Sequence, residues 1–254
     1  MKKEKIIWFL LLVLSGFIML FTTNCSKHDD RPDNPTNGKT TAVFNSGLVY
    51  GEMTDQDGNT YKTINIGTQT WMAENLRTTK YRNGETIPDR SDSIEWGNYK
   101  TGACCINAYC NNDIKMIATY GRLYNWYAVA DTRNLAPVGW HIPTNAEWTE
   151  LSDYLGGPNV AGGKLKETDT LHWVFNIGGT NETGFTALPG GHRTSDGYCF
   201  YPLGFYGYWW SYNEANVDEF PVWAMFYTSA ELHNGPLYDP SEKGIGRSVR
   251  CVKD

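Results

Sequence analysis

The sequence predicts an α+β domain of short antiparallel strands with two main helices and long loops. Short apolar and aromatic runs separated by turn residues fill the chain from about residue 49 onward. Only two windows carry a helical period, and strands do not alternate with long helices as they do in a wound parallel sheet. Aromatic residues make up 14% of the 254 residues, including 10 Trp, so a substantial core can form. The 26 Gly and 11 Pro are too few for a low-complexity chain. A formal charge of −6 lacks the basic footprint of a nucleic-acid binder, so no nucleic-acid partner is expected.

Taken in order, residues 1–24 have the layout of a secretory signal: Lys2, Lys3 and Lys5, then an apolar run from Ile6 to Phe21, then a polar stretch. The run is shorter than the roughly 20 residues a spanning helix prefers. Cys25 directly after it resembles the lipidated first residue of a bacterial lipoprotein, in the looser form of Bacteroidetes. The following Ser26-Lys27-His28-Asp29-Asp30 is similar to the tags that send such lipoproteins to the outer face. The expected location is therefore the outer membrane, exposed at the cell surface. Membrane attachment would come from acyl chains on Cys25, because the mature chain is acidic. Residues 25–47, rich in Pro, Asn, Asp and Thr, read as a flexible tether, and 48–254 as one domain.

The domain opens with a hairpin, VYGEMTD and TYKTINI around Asp57-Gly58. The acidic turn is not a helix-loop-helix calcium site, since Thr60 stands where the sixth-position Gly is needed. A third strand, QTWMAENL, carries Trp71 and Met72. Tyr120, Leu123, Tyr124 and Tyr127 predict an amphipathic helix over 120–129. A clearer helix begins at Thr144, which forms a capping box with Glu147, presents Trp148, Leu151 and Leu155 on one face, and stops at Gly156-Gly157-Pro158. Beyond Gly162 the chain reads as strand and loop: KLKET, HWV, GFTALPGGHR, YGYWWSYNE, VWAMFYT and RSVRCVKD.

Seven phrases, DQDGNTYKTINIGTQTWMAENL, YGRLYNWYAV, LAPVGWHIPTNAEWTEL, AGGKLKET, GFTALPGGHR, GYWWSYNE and RSVRCVKD, together resemble the Fibrobacter succinogenes major paralogous domain, a family of secreted domains and lipoproteins. That family is in turn similar to the C-type-lectin-like and formylglycine-generating-enzyme folds, an analogy at the level of fold. It implies a ligand surface in the loops between the central strands, here about 176–239. The resemblance also implies a disulfide from Cys251 to Cys105 or Cys110. Five cysteines remain beside Cys25, so at least one is left over.

Aromatic residues crowd 198–212: Tyr198, Phe200, Tyr201, Phe205, Tyr206, Tyr208, Trp209, Trp210 and Tyr212. Alternation places Phe205 and Trp209 on one strand face and Tyr206, Tyr208, Trp210 and Tyr212 on the other. Either both faces are core, or some rings form a platform for sugars, with Trp210 and Tyr212 stacking and Asn213, Glu214, His192 and Arg193 meeting hydroxyls. Cys105 and Cys110 have the C-x4-C spacing of the copper pair of formylglycine-generating enzymes but lie early in the domain. The histidines show no metal-ligand spacing, and His141 reads as packed at a helix entrance. No cofactor and no catalytic constellation is indicated. The expected function is a surface-anchored, non-enzymatic binding domain, with glycan or fibre as ligand. The alternatives are a structural or adhesive envelope protein that binds other proteins, and a hydrolase or thiol oxidase like the formylglycine-generating enzymes.

Overall fold

A computed structural model describes residues 34–212, 221–235 and 240–254. The elements run β1 (Gly51–Thr54), β2 (Thr60–Ile66), β3 (Gln69–Met72), α1 (Ser93–Asn98), β4 (Cys104–Cys105), α2 (Ile114–Tyr120), β5 (Leu123–Tyr124), α3 (Trp126–Val129) and β6 (Trp140–His141). They continue through α4 (Asn145–Tyr154), α5 (Pro158–Leu165), β7 (Tyr206–Trp210), β8 (Val222–Phe226), β9 (Leu232–Gly235) and β10 (Val252–Lys253). Among the described residues these form three antiparallel sheets: β1-β2-β3-β10-β6, β4-β5 and β7-β8-β9. The α+β class expected from the sequence is the one observed.

The hairpin turn is held by Asp55, whose carboxylate accepts the Asp57 and Asn59 N–H groups, the Asn59 amide and the Tyr61 hydroxyl. Helix α4 carries the complete capping box of Thr144 and Glu147. Gly156 and Gly157, at φ 98° and 92°, then reverse the chain, and Pro158 at the first turn starts α5. The strand expected at KLKET, after Gly162, is thus partly helical, because this helix runs to Leu165.

The helix expected over 120–129 is not one helix. Gly121, at φ 75°, ends α2, and a Cβ there would stand 2.8 Å from Asn75 and the Leu76 carbonyl. Leu123 and Tyr124 pair instead with Cys105 and Cys104, and Asn125 caps the single turn of α3. Apolar spacing alone does not register such a close backbone approach.

Residues 34–47 also depart from the tether reading. They form a strap bonded along its length to the domain. Asn37 reaches the Gly58 carbonyl and the Thr60 N–H, and Thr36 receives a hydrogen bond from Arg77. The Thr41 hydroxyl lies 2.9 Å from His172 Nε2, whose Nδ1 lies 2.6 Å from Glu167 Oε2. Val43 N–H donates to the same buried Glu167 carboxylate, and the Asn45 amide donates to the Asn181 carbonyl. The Asn and Thr content that suggests a loose chain supplies side-chain hydrogen bonds, and Ala42 and Phe44 add apolar contacts with the cores.

Two cores lie on opposite sides of shared strands. Met72 and Trp210 belong to one, with Tyr61, Tyr124, Trp126, Trp140 and Cys251. Trp71 and Trp209 belong to the other, with Trp148, Trp173, Phe185 and Trp223. Alternation along β3 and β7 sends consecutive large side chains to opposite cores. The Arg250 guanidinium crosses the buried interior, bonded to Asn75 Oδ1 and the Phe185 and Thr186 carbonyls, 4.2 Å over the Phe185 ring.

Candidate functional site

The residues singled out from the sequence separate. Trp210 is fully buried, and its indole N–H donates to the Tyr124 carbonyl at 2.7 Å. Arg193 is fully buried too, bonded to the Ser91 and Gly197 carbonyls and held between the rings of Trp96 and Phe200. Neither can offer a platform to a ligand. Tyr212 is half-buried, stacks on Trp126 at 6.0 Å, and lines a cavity of about 270 Å³ with Asp131, His141 and Thr144. Asn213 and Glu214, like Cys25, lie outside the described residues. Of the expected set, His192 stands on the face described next.

Ladder partners project from the same face of a sheet. In β7-β8-β9, Trp209, Trp223, Met225 and Leu232 enter a core. The opposite face carries Tyr206 beside Phe226, and Tyr208, Ala224 and His233 in a row. The bridges Gly191↔Gly207 and Trp209↔Ser248 bring two further segments to the edge of β7 away from β8, placing His192 and Arg247 next to Tyr208. Nearly every ring on this face touches another. Phe226 stacks on His233 at 4.3 Å and meets Tyr206 edge-on at 5.5 Å, and Tyr206 stacks on Tyr208 at 6.0 Å. His192 stacks on Tyr201 at 4.0 Å and meets Tyr208 edge-on at 4.9 Å. These rings are half-buried, Tyr201 is 42% exposed, and Ala224, between Tyr208 and His233 in the row, is buried.

Lys166 fixes one end of this surface. Its buried ammonium donates to the carbonyls of Ile177, Phe226 and Ser229, and burial pulls its pKa down to about 8. At the other end burial, with the Arg247 charge, pushes the His192 pKa down to about 4, so the ring is neutral at pH 7. Burial lowers Arg247 to about 10, which leaves it cationic. Burial raises the Tyr208 hydroxyl.

His141 is neither isolated nor merely packed. Its Nδ1 donates to Asp254 and its Nε2 to Glu147, both at 2.7 Å, and these bonds, that to Glu147 foremost, hold its pKa up at about 9. Glu147 serves as helix cap and counter-ion together.

The expected bridge from Cys251 to Cys105 or Cys110 is not formed. All five cysteines of the domain are free thiols, and these three occupy three separate clusters of the interior. Burial pushes the pKa of Cys105 and Cys110 up to about 12, away from the thiolate that redox or metal chemistry uses. Among the described residues no group of three or more His, Cys, Asp or Glu could hold a metal ion.

Sequence reasoning named Tyr201, Tyr206 and Tyr208 as members of the aromatic run but missed Phe226 and His233. Strand register, which no single sequence prints, is what joins them.

The tryptophan-filled interior, few helices and three antiparallel sheets define a class of α+β domain. Within that class the model for the Fibrobacter succinogenes major domain matches residues 64–253, and the chain belongs to that family. No curated protein and no solved structure matches it.

Proposed function

We propose that this chain is a lipoprotein, anchored through acyl chains on Cys25 at the outer surface of the cell envelope, whose domain binds polysaccharide without catalysing a reaction. The ligand surface is the aromatic face of β7-β8-β9. The observation that carries the reading is the ring-to-ring contact of Tyr206, Tyr208, Phe226 and His233 on a sheet face left half-open. Flat ring faces suit the C–H side of sugars, and few rotatable bonds are frozen on binding. A C-type-lectin-like arrangement is part of the proposal, supported by the short antiparallel strands and by the half-buried aromatic rings on β7 and β8.

Affinity electrophoresis through a panel of soluble polysaccharides tests it. Retardation of the wild-type domain, weakened at least about tenfold in Tyr206→Ala and Tyr208→Ala, is expected. Unretarded migration in every polymer, or equal retardation of folded variants, overturns it. For the anchor, Cys25→Ala should abolish labelling by a lipid-precursor analogue.

A second reading, an adhesive envelope component that binds protein, rests on Leu171, Val174, Phe175 and Ile177. These are 64%, 45%, 61% and 55% exposed within seven residues, and Phe175 stacks on Tyr227 beside the same sheet. A polysaccharide-silent domain that captures an envelope protein through this segment would favour it.

A further inference from the structure

The edge of β7 away from β8, where the segments of His192 and Arg247 dock, carries an unfinished polar site. The Arg247 side chain is 7% exposed and its guanidinium lies 4.3 Å over the Trp210 ring. Its Nε and Nη1 are buried and make no hydrogen bond, and neither does the buried Nδ1 of His192. Only Nη2 approaches a carboxylate, Glu242 Oε2 at 3.5 Å. Both unfinished side chains flank Tyr208, at one end of the aromatic face. Buried donors left without acceptors cost about 1–3 kcal/mol each, more when charged, so an arrangement that retains several on one face is built for an oxygen supplied from outside.

The character of that oxygen follows from charge. Arg247 stays cationic at neutral pH, and Glu242 pairs with it through Nη2 alone, so the Nε and Nη1 donors remain open to a second acidic oxygen. A neutral His192 beside it can donate from Nδ1 to the same group. We infer that this end of the aromatic face takes the carboxylate of an acidic sugar, so that the domain selects uronate-bearing over neutral polysaccharide. The aromatic rings hold the sugar planes and Arg247 reads the acid group, much as guanidinium groups recognise carboxylates elsewhere.

This inference rests on the polysaccharide reading, and one experiment separates the two. The mature chain is run through gels containing polygalacturonate or alginate, and through matched gels in which the carboxylates are methyl-esterified. Retardation at least about tenfold stronger in the acid form is expected. It should be reduced to the level of the ester in Arg247→Gln, and increased in Glu242→Gln, which removes the competing carboxylate. Because Arg247 is buried, near-ultraviolet circular dichroism checks the variant. If Arg247→Gln does not fold, Glu242→Gln alone decides, and unchanged retardation of that variant by the acid polymers overturns the inference. Equal retardation in acid and ester gels overturns the acidic-sugar inference while leaving the polysaccharide reading intact. No retardation in either series overturns both.

Discussion

Trp209 and Trp210 are consecutive in β7 and are buried in different cores. The first donates its indole N–H to Asn75 Oδ1 at 2.9 Å, the second to the Tyr124 carbonyl at 2.7 Å. Each indole nitrogen is thus satisfied on its own side of the strand, which is why two of the largest side chains can stand next to each other. Trp210→Ala should cost about 3–5 kcal/mol in chemical denaturation, the usual range for emptying such a site. Trp210→Phe should cost less, because the Tyr124 carbonyl still accepts the Arg247 N–H at 3.0 Å, and should leave polysaccharide retardation unchanged. A loss of ligand binding in a folded Trp210→Phe domain would contradict the assignment of this residue to the core.

Two histidines should shape stability in opposite directions along the pH scale. His141 has a folded pKa of about 9, above its ordinary 6.5, so its contribution is complete below about pH 6.5 and is lost as pH rises through 9. With about a third of the ring exposed, this amounts to about 1 kcal/mol after solvent screening. His192 has a folded pKa of about 4, so the folded state resists its protonation and stability falls as pH drops from 6.5 toward 4. Thermal melts from pH 4 to 9 on wild type and each single variant read the two contributions separately, while Lys166, with its lowered pKa of about 8, adds stability as pH rises above 8. His141→Asn should flatten the alkaline limb and His192→Asn the acid limb.

Thiol chemistry should follow burial. Cys199 is exposed, while Cys104, Cys105, Cys110 and Cys251 are buried. Titration of the folded domain with an aromatic disulfide should show one fast thiol, with four more appearing on denaturation. A mass map that shows a Cys251 bridge to Cys105 or Cys110 in native protein would contradict the separation of these residues into different clusters.

Lys166 holds three carbonyls at the Phe226 end of the aromatic face. Lys166→Met keeps much of the side-chain volume and leaves those acceptors without their donor. A destabilisation of about 2–4 kcal/mol is expected, with weaker retention by polysaccharide than in Lys164→Met, a neighbour whose ammonium pairs on the surface with Glu182.

Deleting residues 34–45 should destabilise the domain, because Glu167, Asn181 and Arg77 lose partners on the strap. Deletion without change in melting temperature would return this segment to the role of a loose tether.

Much of the framework is legible in the chain. Asp57-Gly58 marks the first hairpin, Thr144 with Glu147 marks the start of α4, and the family phrases lie where β3, β7 and β10 form. What escapes is whatever depends on distant partners. The strap looks disordered by composition because its fixation comes from Glu167 and Asn181, more than a hundred residues away. Tyr120 to Tyr127 reads as one helix because the close approach of Gly121 to Asn75 leaves no periodic trace. The aromatic run around β7 is conspicuous, yet only register shows that Trp209 and Trp210 are core while Tyr206 and Tyr208 meet Phe226 and His233.

The docking of the strap also sets how the domain carries force. A pull on the chain from upstream of residue 34 enters the fold at the hairpin turn around Asp55 and at Arg77, not at the start of β1. It then meets the hydrogen bonds of Asn37, Thr41, Val43 and Asn45 in turn, each anchored to a different part of the interior. Load is thereby spread over several attachment points, from the start of β2 at Thr60 to Asn181, that must give way before β1 is reached.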